Sequence, residues 1–337
     1  MKLDLFYYDL PEKFIAQEPL EQRDKSKLMI LNRKTGEISH DVFYNISRYL
    51  KKYDVLVLNE SKVTKCRLPG VKESTGAKIE VFVLRKIKGE KYLVLVKPSK
   101  KLSVSSKVNI GNYSFSVTEK LDYGKAVVEF DAPLNEIINK YGKVPLPPYI
   151  KNENISEERY QTIYARVNGS AAAPTAGFHF TYKLIKELKK SRINFAKLRL
   201  DIGLDTFRPI VEDDVEEHVI HSEYYSLSDS EAKKISQSMQ NGGRIIAVGT
   251  TSTRVLETVF SKEGKISGDK GNTELYIYPG YKFKAIDAMI TNFHLPYSTL
   301  LVMVSAFAGR ENIIKAYEEA KKNNYRFFSF GDCMLIS

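Results

Sequence analysis

The sequence predicts an α/β protein of more than one domain: a mixed-sheet α/β body with helices on both sides, interrupted by an inserted small antiparallel β-barrel. Three observations carry this. Short aliphatic runs recur near both ends of the chain, and in the second half they alternate with helical patterns. From about 65 to 130 the pattern changes to strand-like alternation bounded by Gly, Asn and Asp. Pro145, Pro147 and Pro148 then form a stiff exit from that stretch. The 337 residues, 43% of them hydrophobic and 28% charged, suffice for two domains with real cores. The expected boundaries place the body at 1–60 and 149–337 and the insertion at 61–148.

Leu28-Met29-Ile30-Leu31 and Val55-Leu56-Val57-Leu58 read as buried strands. In the insertion, Lys78 to Leu84 and Tyr92 to Val96 flank a hairpin signal, Lys86 to Glu90. Val108 to Ile110, Tyr113 to Val117 and Ala126 to Phe130 continue as short strands without helices. Beyond 155, Thr181 caps a helix with apolar positions Leu184, Ile185 and Leu188. Phe195 to Ile202 is a strand, and Ser228 with Glu231 has capping-box spacing for a helix ending at Gly242-Gly243. Arg244 to Val248 feeds Gly249-Thr250-Thr251-Ser252 and a further helix. Glu274 to Tyr278 and Ala285 to Thr291 read as strands, 298–307 and 311–323 as helices, and Phe327 to Ile336 as a closing strand.

Two cysteines, Cys66 and Cys333, cannot make a disulfide framework or a four-thiolate zinc site. The opening ten residues carry two aspartates and no apolar signal-peptide core. Met289 to Gly309 is uncharged for 21 residues, but Asn292, His294 and Pro296 among others make a buried strand, turn and helix the better account than a membrane span. A soluble, cytoplasmic protein with no membrane association is expected. The net charge of +11 is uneven: +8 over 51–100, +6 over 151–200 and −6 over 201–250. Such blocks suit a polyanion-facing surface, with a generally Lys-rich composition as the plain alternative.

His179 follows Ala172-Ala173-Pro174-Thr175-Ala176-Gly177-Phe178, a small-residue loop that either presents backbone N–H groups to an anion or simply packs tightly. Glu217-His218 and His221-Ser222-Glu223 raise the question of a metal, but the i, i+3 spacing lacks the H-E-x-x-H pattern; an acid-rich surface helix with one functional histidine is expected. Thr250, Thr251 and Ser252 at a predicted helix start, with Arg254, suit a carboxylate or phosphate, although a plain βα turn is the competing account. Asn292 and His294 emerge from an apolar run. Tyr278, Tyr281 and Arg326, aromatics beside charged groups, either stack on a base or help build a core, while the neighbouring Phe residues read as core. No nucleophile elbow is present, and no cysteine stands beside a histidine.

In order, the chain carries Ile15-Ala-Gln17-Glu-Pro19-Leu-Glu-Gln-Arg23-Asp24, Val57-Leu-Asn59, Pro145-Leu-Pro-Pro-Tyr149 and Tyr160-Gln161-Thr. There follow Ala172-Ala-Pro174-Thr-Ala-Gly177-Phe-His179-Phe, Thr206-Phe207-Arg208-Pro209, Glu217-His218, His221 and Gly249-Thr-Thr-Ser252. Tyr278-Pro-Gly280, Thr291-Asn-Phe-His294-Leu-Pro296 and Tyr325-Arg326 through Gly331-Asp332 complete the set. From Asp4 to Ile336 this resembles the S-adenosylmethionine:tRNA ribosyltransferase-isomerase family of queuosine biosynthesis. The resemblance implies a transferase that moves the ribosyl part of S-adenosylmethionine onto 7-aminomethyl-7-deazaguanine at the tRNA wobble position, giving epoxyqueuosine with release of adenine and methionine. No true cofactor, no metal and no obligatory protein partner are implied, and a monomer is expected.

A sulfonium acidifies its neighbouring C–H, and a base working near neutral pH suits a histidine. On that chemistry His179, His294, and His218 or His221 are the base candidates, in that order. The methionine carboxylate is expected at Thr250, Thr251 and Ser252 with Arg254. Asn292 and Asp332 are expected to hold ribose hydroxyls or the aminomethyl group, and Tyr278 or Tyr281 the flipped base. Lys62, Lys97, Lys100 and Lys101 are the expected phosphate contacts. Two departures stand out. The family's Leu-His-Val-Gly-Leu-Gly-Thr-Phe is here Leu200-Asp201-Ile202-Gly203-Leu204-Asp205-Thr206-Phe207, and Cys66 and Cys333 replace alanines. Two other readings compete: a non-catalytic RNA-binding protein, and a metal-dependent hydrolase on His218 and His221.

Overall fold

A computed structural model describes residues 1–337 other than Glu153, Leu204, Asp205, Phe207 and Arg208. The chain divides into two compact units, Met1–Lys62 with Pro147–Ser337, and Val63–Leu146. The α/β body with an inserted antiparallel barrel is the class the sequence predicts.

The first unit is built on a nine-stranded mixed sheet. Its order runs Asp269–Thr273, Glu223–Leu227, Asn194–Leu200, Val55–Asn59, Ile245–Val248, Ala288–Asn292, Cys333–Ile336, Lys27–Leu31 and Ile38–Val42. The four strands from Asn194–Leu200 to Ala288–Asn292 pair in parallel. Both faces of this centre are covered, which is why Val55–Asn59 is buried at every position and reads as apolar from Val55 to Leu58. Val55, Val57 and Ala247 point to one core, with Val255 and Val259 of the helix Gly249–Glu263 and with Leu301 and Ile313 of later helices. Leu56, Leu58 and Ile246 point to the other, against Phe43, Phe180 and Leu184.

Thr181 caps Tyr182–Lys190 as its spacing predicts, its hydroxyl accepting from Leu184 N–H at 3.1 Å. Four expectations need correction. The capping box at Ser228 is half made, because the Glu231 carboxylate accepts from Lys197 N–H at 2.9 Å and not from the cap. The strand expected over 274–278 lies earlier, at Asp269–Thr273, where backbone pairing with Glu223–Leu227 replaces apolar pattern as the cause. Residues 327–332 are a loop and only Cys333–Ile336 is strand. Phe328 takes φ +70°, and the Asp332 carboxylate accepts from Arg326 N–H and Lys27 N–H. The acid-rich stretch from Glu217 to Glu223 is not a surface helix: Glu217 ends a short 3-10 turn, Val215–Glu217, and Glu223 opens the strand Glu223–Leu227.

The second unit is a closed six-stranded antiparallel barrel, ordered Lys125–Phe130, Lys91–Lys97, Lys78–Lys88, Arg67–Lys72, Lys107–Ile110 and Tyr113–Lys120. Alternate burial along Lys91–Lys97 puts Tyr92, Val94 and Val96 inside. The unit is not free of helix: Leu134–Tyr141 buries Leu134 and Ile137 in the barrel core. Cys66 is buried here, its thiol pushed up to about 12 by burial, and Cys333 in the other unit is shifted upward for the same reason.

Within the first unit the chain leaves Val55–Asn59 and returns first on one side of it, as Asn194–Leu200, and later on the other, as Ile245–Val248. Such a reversal opens a crevice outside the carboxyl ends of the strands, where α/β sheets bind ligands.

Candidate active site

A cavity of about 320 Å³ occupies that crevice. Ile202 follows one parallel strand, Gly249 to Thr251 follow the second, and Thr291 to Pro296 end the third. Ala172 to Ala176 form one wall and Tyr149, Phe328 and Ser329 another. The wall is mostly apolar. Tyr149 packs against Phe328 with ring centres 4.8 Å apart and planes tilted by 35°, and its hydroxyl shares a 2.7 Å hydrogen bond with Ser329 Oγ. A second cavity of about 30 Å³ shares Ile202, Thr206, Thr250, Thr251 and Leu300 with the first and adds His218, His221, Glu223, Arg254 and Tyr276.

Gly249 takes φ +88° at the strand-to-helix junction, a conformation that favours glycine. The helix Gly249–Glu263 begins there with Val248 in the capping position, so no side chain covers its first N–H groups. Thr250 is only 8% exposed and faces both cavities. Thr251 Oγ1 and Ser252 Oγ are buried without a hydrogen-bond partner.

His294 borders the large cavity. Its Nε2 lies 2.8 Å from Thr291 Oγ1, its backbone N–H donates to Tyr317 Oη at 3.0 Å, and the Tyr8 hydroxyl donates to its carbonyl. No hydrogen bond reaches its Nδ1 among the described residues. Burial lowers its pKa to about 3, so the ring is neutral.

His179 sits differently. Asn292 Nδ2 donates to the Phe328 carbonyl at 2.9 Å, so Asn292 Oδ1 accepts from His179 Nε2 at 2.9 Å, and Ser26 Oγ donates to Nδ1 at 2.7 Å. Both nitrogens are thus engaged by the protein. Burial lowers the pKa to about 4 against the opposing Asn292 bond, with Arg326 and Arg23 adding to the lowering. His179 borders a small separate pocket with Arg23, Ser26 and Phe330, while Asn292 reaches the large cavity.

The remaining expected residues divide. Arg254 is spent inside the protein: it pairs with Glu223 Oε2 and donates to the carbonyls of Leu275 at 3.1 Å and Thr273 at 3.4 Å. Glu223 Oε1 accepts from Gly203 N–H at 2.9 Å. Burial alone would raise the Glu223 carboxyl, but His221, the Arg254 charge and the Gly203 N–H outweigh it and hold it below its usual value. His218 Nδ1 bonds Glu212 at 2.8 Å and His221 Nε2 lies 3.5 Å from Glu223 Oε1. Among the described residues no three metal-ligating side chains converge. Asp332 is committed to two backbone N–H groups.

Arg326 donates to the carbonyls of Glu18 and Phe330, and burial lowers its pKa. Tyr278 packs on Tyr276 at 5.5 Å and Tyr281 donates to Glu257 at 3.1 Å, so neither lines the cavities. Asp201 is held by Arg199, at 2.8 and 2.6 Å, and Asp205 lies outside the described residues. Lys62 in the first unit and Lys97, Lys100 and Lys101 in the barrel are exposed. Sequence reasoning missed Glu223, Tyr276, Tyr149 and Ser26. Glu223 alone had a signal, as an acid next to a histidine pair.

Among the described residues no helix is long and apolar enough to cross a membrane. Residues 3–336 match the sequence model of a family described as queuosine biosynthesis protein. Over the full length of both chains, the sequence is 52% identical to the S-adenosylmethionine:tRNA ribosyltransferase-isomerase of Caldanaerobacter subterraneus subsp. tengcongensis, and 51% identical to those of a Thermoanaerobacter species and of Acetivibrio thermocellus. The crystal structure of S-adenosylmethionine tRNA ribosyltransferase from Thermotoga maritima superposes with a TM-score of 0.58 at 36% identity, covering 99% of this chain and 100% of that one. A match of this extent, on a crevice built at the strand ends, makes the chain a transferase of the queuosine biosynthesis protein family.

Proposed function

We propose that the protein transfers and isomerises the ribosyl group of S-adenosylmethionine onto 7-aminomethyl-7-deazaguanine at the wobble position of a tRNA. The product is epoxyqueuosine-tRNA, and adenine and methionine leave. The observation that carries this reading is the largely apolar cavity of about 320 Å³ with a neutral histidine, His294, on its wall and an uncapped helix start at its edge. The volume and the apolar wall suit a nucleoside, and the Thr250 and Thr251 end suits the methionine carboxylate. S-adenosylmethionine and tRNA are the substrates in the names of the full-length relatives, and the modified base and the products are what the family resemblance implies.

The base is His294. It removes the proton beside the sulfonium, the sugar opens and adenine leaves; the aminomethyl nitrogen then attacks, and an epoxide forms as methionine departs. A pKa near 3 is no obstacle. It reflects the cost of placing a charge in a dry site, and the bound sulfonium has already brought that charge. Proton transfer only moves it from sulfur to imidazole. His179, with both nitrogens occupied, orients Asn292 instead. On this reading S-adenosylmethionine is a substrate and no cofactor takes part. The reaction runs in the cytoplasm on a monomer, with Lys62, Lys97, Lys100 and Lys101 neutralising RNA phosphates.

The test incubates pure protein with S-adenosylmethionine and tRNA carrying the deazaguanine base, following free adenine and the mass of the RNA. Stoichiometric adenine with a matching mass gain is expected; no adenine and unaltered RNA overturns the reading.

A further inference from the structure

The small cavity beside the large one holds an excess of polar atoms with nothing to bond. Thr251 Oγ1 and Tyr276 Oη are buried without a hydrogen-bond partner, His221 Nε2 is buried with only a long 3.5 Å approach to Glu223 Oε1, and the three residues line the same 30 Å³ space. Glu223, 4% exposed, lines it too, and carries a carboxylate whose Oε1 has one good donor, Gly203 N–H at 2.9 Å, and a weak one, Thr206 Oγ1 at 3.4 Å. An ionised carboxylate accepts about four hydrogen bonds. Buried polar atoms left without partners are costly, so two unpartnered hydroxyls and a poorly paired imidazole around one void mark a place meant to be filled.

The size and charge identify the occupant. About 30 Å³ admits a group as large as a water or an ammonium and little more. The charged groups facing it are Glu223 and Arg254, and Arg254 is turned to Glu223 and two carbonyls, leaving Glu223 Oε1 as the charged acceptor. The wall shared with the large cavity includes Thr250, Thr251 and the helix start, where the proposed function puts the methionine carboxylate. An α-amino group is attached one carbon away from that carboxylate. Resting on the proposed function, we infer that the small cavity is the α-ammonium subsite of the sulfonium donor, with Glu223 Oε1 as its counter-ion and Tyr276 Oη as a second acceptor. Tyr276 and Glu223 are thereby specificity-determining residues for an amino-acid-bearing donor.

Binding is measured by calorimetry at neutral pH, with S-adenosylmethionine and with the same sulfonium lacking the α-amino group, on wild type and on Tyr276→Phe. Wild type is expected to prefer S-adenosylmethionine by about 10- to 100-fold. Tyr276→Phe is expected to weaken S-adenosylmethionine several-fold while leaving the deaminated compound unchanged, a pattern that general loosening of the fold does not produce. His221→Gln, which keeps a polar group in the void, serves as the second variant and is expected to narrow the same preference. Equal affinity of wild type for the two sulfoniums, or an equal loss for both in Tyr276→Phe, overturns the subsite and leaves the proposed function standing. Failure of wild type to bind S-adenosylmethionine at all removes both.

Discussion

Burial holds His179 at about 4 and His294 at about 3, against an ordinary value of 6.5, yet the two rings face different surroundings. His179 is fixed at both nitrogens, and His294 at one. His294→Ala is expected to lower adenine release by about 10²–10⁴-fold with S-adenosylmethionine still bound. Retained turnover alongside retained binding removes His294 from the base role. Both depressed values also tie stability to pH, and His179, which has no part in the proposed proton transfer, isolates that effect. Its folded pKa is depressed, so between pH 6.5 and 4 the unfolded chain binds a proton the native one does not, and stability falls as pH drops through that window. The contribution is roughly 3 kcal/mol, present above pH 6.5 and gone near pH 4. Thermal unfolding followed across that range should show a smaller loss in His179→Gln than in wild type.

At the level of single elements, the helix Gly249–Glu263 depends on one backbone conformation. Gly249 at φ +88° aims the helix start at the cavity, and a Cβ there would meet Ala176 and Thr251 at 3.5 Å. Gly249→Ala is therefore strained by its backbone more than by crowding, at a cost of about 1–3 kcal/mol, and should raise KM for S-adenosylmethionine; unchanged KM and melting temperature would show the junction to be slack. Thr181 caps a helix elsewhere, and Thr181→Ala should cost about 1 kcal/mol in denaturant unfolding without moving KM. These two helix starts were readable because capping and βα turns are local chemistry. The strand Asp269–Thr273 was not, since its residues are polar and only its neighbour Glu223–Leu227 makes it a strand. The same limit applies in the site. His294, Asn292 and Thr250 announce themselves at the ends of apolar runs, whereas the pairing of Glu223 with Arg254 spans 31 positions and has no local pattern. Arg254, read alone, looked available for a carboxylate.

For the molecule as a whole, charge follows the division into units. The barrel, residues 63–146, carries 16 Lys and Arg against 8 Asp and Glu, a net +8 of the chain's +11. Replacing Lys97, Lys100 and Lys101 by Gln is expected to weaken tRNA binding and to flatten its dependence on log salt by about 2, with S-adenosylmethionine affinity unchanged. An unaltered salt slope would place the RNA contacts elsewhere.

The strand Cys333–Ile336 lies between Ala288–Asn292 and Lys27–Leu31 and pairs with both, joining them in the sheet. During synthesis on the ribosome, Lys27–Leu31 and its hairpin mate Ile38–Val42 therefore wait for some 300 residues before their second neighbour emerges. The barrel, whose six strands all fall within one continuous stretch, has no such wait. A nascent chain halted after Asp332 would hold a finished barrel beside a body with two raw sheet edges, a form that chaperones and proteases can recognise.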